Sequence, residues 1–191
     1  MLRRLLILTI ALAALVLPGS ALAGGGDYGF EGAGPAERST VRAALNASAF
    51  DWSIVPQHVT IHVGHYGVSH STPGNIWLDR DLLGAGRFAW ATVMDEYAHQ
   101  IDFQVLDATS RAVLQDKLGT DAWCYETADL SHGGNGCERF ASMVAWAYWP
   151  SNDNSYQPNS AKDESASMRP ADFRTLLSAL LGKPTALKFS R

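Results

Sequence analysis

The spacing of apolar residues predicts one long helix over residues 87–106. Met94, Tyr97, Ala98, Ile101 and Val105 recur three and four positions apart and so share one face. Gly86 stands just before the run and suits its start. A helix with such a face needs partners to bury it, and the neighbouring segments offer them. Residues 58–63 alternate, with Val59, Ile61 and Val63 on one side and His58, Thr60 and His62 on the other, which is the pattern of a half-buried strand. After a polar, glycine-containing stretch at 64–74, the run Asn75-Ile76-Trp77-Leu78-Asp79 reads as a second short strand. Further helices are expected at 36–48, near 110–118, at 138–149 up to Pro150, and at 169–181, where Pro170 suits the first turn and Gly182 the stop. Residues 151–168 are polar and without period, and read as a surface loop. Strands and helices in this mixture predict an α+β domain with no internal repeat.

The N-terminus is of a different kind. Arg3 and Arg4 precede an apolar stretch from Leu5 to Leu17, then Pro18-Gly19 and the small-residue pattern Ala21-Leu22-Ala23. That order is the charged, apolar and cleavage regions of a secretory signal peptide, 1–23, and the apolar part is short for a membrane span. Residues 24–35 are glycine-rich and read as a flexible leader, leaving 36–191 as one domain. The chain of 191 residues carries a formal charge of -4, and losing Arg3 and Arg4 with the signal takes it to -6. No basic run follows the signal, so neither nucleic acid nor an anionic membrane is an expected partner.

Cys124 and Cys137 are the two cysteines. Export would place them where disulfides persist, and their spacing lacks the C-x-x-C pattern of thiolate zinc sites, so a bridge is expected. The loop between them is rich in glycine, at Gly133, Gly134 and Gly136.

The long helix contains Asp95-Glu96-Tyr97-Ala98-His99. Positions four apart project from one helix face, so Asp95 and His99 can converge on one ion with Glu96 beside it. Apolar flanks, from Phe88-Ala89-Trp90 to Ile101 and Phe103, place this polar cluster on a mostly buried helix, where an unpaired carboxylate is costly. Glu138 follows directly on a cysteine that the bridge would hold.

These stretches resemble the zincin metallopeptidases of the type with two histidines and a downstream glutamate, in particular small secreted bacterial members. The likeness rests on Asn75-Ile76-Trp77-Leu78, on Glu96-Tyr97-Ala98-His99-Gln100-Ile101-Asp102-Phe103, and on Cys137-Glu138-Arg139-Phe140-Ala141 with the aromatic run Trp146 to Trp149. The resemblance implies a short sheet whose edge strand aligns an extended peptide or protein substrate. It implies an active-site helix followed by a ligand-bearing helix, and one divalent ion, Zn2+ first, held by Asp95, His99 and Glu138. Glu96 would be the general base that takes a proton from activated water, and Asp102 would orient the helix or a ligand. The family pattern has histidine where this chain has Asp95. Zinc accepts a carboxylate oxygen, but aspartate reaches less far than histidine, and two carboxylates with one imidazole leave the ion a weaker Lewis acid.

His132 lies in the cysteine loop and can reach the metal face, as a donor to a developing oxyanion or as a replacement for the lost ligand; Tyr125 offers the same donor role. His58, His62, His65 and His70 read as solvated, and the aromatic run at 146–149 as core rather than as a carbohydrate platform. Two other readings stay open: a degenerate zincin that binds a peptide or partner without cutting it, and a metal-free structural domain in which Asp95 and His99 form an ion pair.

Overall fold

A computed structural model describes residues 26–124 and 131–182. The expected signal peptide, the first two leader residues and Tyr125 lie outside them. Among the described residues the architecture is α+β, with one four-stranded sheet and six α-helices, and no helix is long and apolar enough to cross a membrane.

The sheet has the order β1 (Tyr28–Glu31), β2 (Val59–Gly64), β4 (Asn75–Asp79), β3 (His70–Thr72). β1, β2 and β4 run parallel and β3 is antiparallel to β4. Alternation in β2 sends Val59, Ile61 and Val63 into the core, in register with Ile76 and Leu78 of β4. Helix α1 (Pro35–Ala47) makes the crossover between β1 and β2 and buries Val41, Ala44 and Leu45.

Two corrections follow. The glycine-rich leader does not extend to Pro35: Tyr28–Glu31 is an edge strand paired with Val59–His62. The strand at the other edge is β3, inside the stretch read as a polar connector, whereas Asn75–Asp79 is interior. Pro73 and Gly74 alone join β3 to β4, and Gly74 takes φ +76°, a conformation that glycine adopts without steric cost.

After the short helix α2 (Arg80–Leu83) and a 3-10 turn at Gly86–Ala89 comes α3 (Trp90–Gln104), whose residues from Val93 to Asp102 are all buried. Helix α4 (Ala108–Leu118) ends on Gly119, α5 (Gly136–Tyr148) packs along α3, and α6 (Pro170–Leu180) covers α5 through Phe173 and Leu177. Trp52, Tyr97, Phe140 and Phe173 are fully buried in one core, where removing a phenylalanine side chain from water contributes about 1.5–3 kcal/mol. Tyr148 and Trp149 belong to that core, as expected of the aromatic run.

Candidate metal centre

Two pieces of local structure fix the start of α5, and with it Glu138. The N–H groups of Gly136 and Cys137, which a helix start leaves without partners inside the helix, donate to the carbonyls of Ala122 and Trp123 at 2.9 and 2.8 Å. Cys124 and Cys137 are disulfide-bonded, as their spacing and expected compartment suggest. This approach requires glycine at 136, because a Cβ there would lie 2.7 Å from the Trp123 ring. The carboxylate of Asp102 ties the same loop to α3, accepting from Trp123 Nε1 at 2.9 Å and from Arg111 Nε at 2.8 Å. Asp102 therefore orients α3, α4 and the loop, the helix-orienting part of its expected role.

On the opposite wall the edge strand is clamped to α3. Gln100 accepts from Gly74 N at 2.8 Å and donates to Thr72 O and Asn75 O at 2.9 and 3.1 Å. One turn earlier, Ser71 Oγ donates to Glu96 Oε2 at 2.7 Å. Between these walls runs a groove of about 500 Å³, floored by Thr92, Asp95, Glu96, His99 and Phe103 of α3.

Asp95, Glu96, His99 and Glu138 are each buried and meet in this groove. His99 Nε2 lies 3.3 Å from Glu138 Oε2 and 3.9 Å from Asp95 Oδ2. His132, in the short turn His132–Gly134, places Nε2 3.0 Å from Glu138 Oε2 and Nδ1 3.0 Å from Glu164 Oε1. Ser142 Oγ closes the set, 3.1 Å from Glu164 Oε2 and 3.2 Å from Asp95 Oδ1. Asp95, His99, Glu138, His132, Glu164 and Ser142 thus form a closed ring of polar contacts.

Burial sets the charges of the ring. Desolvation, with Glu96 and Glu138 nearby, pushes the Asp95 carboxyl up to about 8, against the opposing pull of His99 and Ser142. Desolvation also raises Glu96, while His99 and the Ser71 hydroxyl oppose it. For His99 desolvation favours the neutral ring, but the hydrogen bond to Glu138 and the charges of Asp95, Glu138 and Glu96 together outweigh it and lift its pKa to about 9. Hydrogen bonds to Glu138 and Glu164 raise His132 to about 10.

Ligand atoms about 2.0–2.2 Å from a tetrahedral zinc ion stand roughly 3.3–3.6 Å apart. His99 and Glu138 meet that spacing, and the Asp95 oxygen falls wide of it. Among the described residues, the three potential donors whose ligand atoms all lie within 4.8 Å of one another are His99, Cys137 and Glu138. Cys137 is spent in the disulfide, however, and offers no thiolate. His99 and Glu138 thus fit an ion as a pair, and no third side chain of the ring joins both within 4.8 Å among the described residues.

Ser71, Ser142, Tyr156 and Glu164 are groove or ring residues that the sequence reading did not single out. Ser142 stands four residues after Glu138 on α5, so helical spacing offered a signal for it. Tyr156 and Glu164 come from the aperiodic loop and offered none. Tyr156 lines the groove, and burial, with Asp95 and Glu96 adding, holds its phenol protonated. Of the histidines read as solvated, His58 and His65 are exposed beside Asp27 and Asp81. His62 is half-buried, and it and His70 stack on either side of Trp77, each 4.9 Å from that ring. Compared with known proteins, the chain matches no family model, no curated protein and no solved structure.

Proposed function

We propose that this domain is a zincin-like, exported, metal-dependent peptidase acting on extended peptides, with a divalent ion, zinc first, held at His99 and Glu138. The observation that carries the reading is the placement of Glu96. It is a buried carboxyl group beside the His99–Glu138 pair, facing the groove and held by a hydroxyl from an edge strand. Carboxyl groups kept in that setting serve as general bases for water.

As an edge strand, β3 can receive an extended chain laid along α3, the recognition mode of strand addition. A bound divalent ion supplies Lewis acidity at the substrate carbonyl and makes water a better nucleophile. Glu96 takes the proton from the attacking water and returns it to the leaving amine, while Ser71 fixes the carboxyl group throughout. Tyr156, neutral at physiological pH, can donate to the carbonyl oxygen as charge develops there.

A second reading draws on Asp95. A carboxylate at that position adds negative charge to the site and weakens Lewis acidity, which favours a domain that binds peptides without cutting them. Zinc content of protein purified without chelator, together with cleavage of an unstructured peptide by wild type and Glu96→Gln, separates the two. Cleavage lost in Glu96→Gln supports the peptidase; zinc and peptide binding with no cleavage in either protein supports the second reading.

A further inference from the structure

The bridge that fixes the start of α5 also withholds a ligand. Cys137, His99 and Glu138 are all buried, and their ligand atoms lie within 4.8 Å of one another. Cys137 Sγ stands 3.7 Å from Glu138 Oε1. A thiolate about 2.3 Å and a carboxylate oxygen about 2.0–2.2 Å from one tetrahedral zinc ion are roughly 3.6 Å apart, so this spacing already suits a shared ion. Sulfur bonded to sulfur is no ligand, whereas a free thiolate is a preferred donor for zinc. The position of Cys137 does not depend on the bridge alone. Its N–H donates to Trp123 O at 2.8 Å and that of Gly136 to Ala122 O at 2.9 Å, and neither bond involves sulfur. Cys124, by contrast, is half-buried and lines the groove, so a reductant entering there meets its sulfur first.

The geometry points to a metal centre whose third protein ligand is stored in the disulfide: reduction of Cys124–Cys137 frees Cys137 to bind one divalent ion together with His99 and Glu138. The reductant is a dithiol. One of its thiolates attacks Cys124 Sγ, the S–S bond breaks, and Cys137 leaves as a thiolate; the second thiol then displaces Cys124 from the mixed disulfide. The dithiol supplies both electrons and ends as its own disulfide. Of its two protons one rests on Cys124, and the other passes to solvent as Cys137 binds the ion. The oxidised chain holds the ion through His99 and Glu138 alone, and the reduced chain through three side chains with a fourth position open to water or substrate. This role of Cys137 rests on the metal-dependent reading above.

Zinc titration of the full chain by calorimetry tests it, with oxidised wild type, Cys124→Ser and Cys137→Ser compared in the absence of free reductant. Cys124→Ser keeps the Cys137 thiol and should bind one equivalent at least roughly tenfold more tightly than oxidised wild type, the low end of what even an outer partner of a ligand contributes. Cys137→Ser keeps only the other thiol and should show no such gain. X-ray absorption of zinc-loaded Cys124→Ser should find one sulfur at about 2.3 Å. In wild type reduced with dithiol, freed of excess reductant and alkylated, added zinc should protect Cys137 and leave Cys124 reactive. Where oxidised wild type takes up zinc, four results overturn the inference and leave the metal reading standing: equal affinity in Cys124→Ser, no sulfur in the shell, an equal gain in Cys137→Ser, or equal alkylation of the two cysteines. A reduced chain that stays unfolded with zinc present overturns it as well. No zinc uptake by any of these proteins sinks both.

Discussion

Asp95 Oδ2 stops 3.9 Å from His99 Nε2 although the two residues lie one helical turn apart on the same face. Histidine at 95 carries its nitrogen further out than aspartate carries its oxygens. Asp95→His should therefore bring a nitrogen donor to the ion from α3. Asp95→His should then bind zinc more tightly than wild type. Unchanged or weaker binding of the variant in a zinc titration would show that residue 95 cannot reach the ion at all.

Ser71 holds Glu96 at 2.7 Å. A hydrogen bond to a charged group contributes about 1.5–3 kcal/mol, and this one stabilises the ionised carboxylate and lowers its pKa. Ser71→Ala should raise the acid limb of the kcat/KM–pH profile. Ser71→Thr should restore it. A fall in activity with no movement of the limb would make Ser71 a packing residue only.

The Cys124–Cys137 bridge ends one residue before Glu138. Replacing both cysteines with serine should lower stability by about 2–4 kcal/mol in urea unfolding. Because the bridge also holds the start of α5, zinc affinity should fall in the same variant under conditions where it remains folded. Unaltered zinc affinity would mean that the main-chain bonds to Ala122 and Trp123 suffice to place Glu138.

Without metal, the ring makes stability depend on pH. His99 rises from 6.5 to about 9, so the stabilisation it gains, chiefly from the hydrogen bond to Glu138, is complete below 6.5 and is lost as pH climbs through 9. Asp95 rises from 3.8 to about 8, so its ionised form is disfavoured in the folded state, and stability declines across that interval too. Both signs agree. Thermal midpoints in chelator should fall from pH 6.5 to 9, and added zinc should stabilise more at the upper end, where its ligands no longer bind protons. A flat profile in chelator would contradict the charge states assigned to the ring.

Long periodic segments were legible in the sequence: β2, β4, α3, α5 and α6 follow from spacings of two or of three and four. β3 was not, because three residues before Pro73-Gly74 show no period. β1 was hidden by glycine content, although Tyr28 and Phe30 alternate with Gly29 and Glu31 as a strand requires. The convergence of Glu96, His99 and Glu138 in one groove was expected from helix spacing and family likeness. The contacts of Ser142, Glu164 and Tyr156 depend on how α5 and the 151–168 loop fold back over α3, and no local pattern reports that.

The pairing of Tyr28–Glu31 with β2 also bears on solubility. A chain cut after Ala23 keeps this strand whole. One cut after Glu31 would leave Val59–His62 with a row of unpaired main-chain N–H and C=O groups on an open flank, beside the apolar core. Such a flank is a template for adding strands from other molecules, so the four residues from Tyr28 also guard the sheet against self-association.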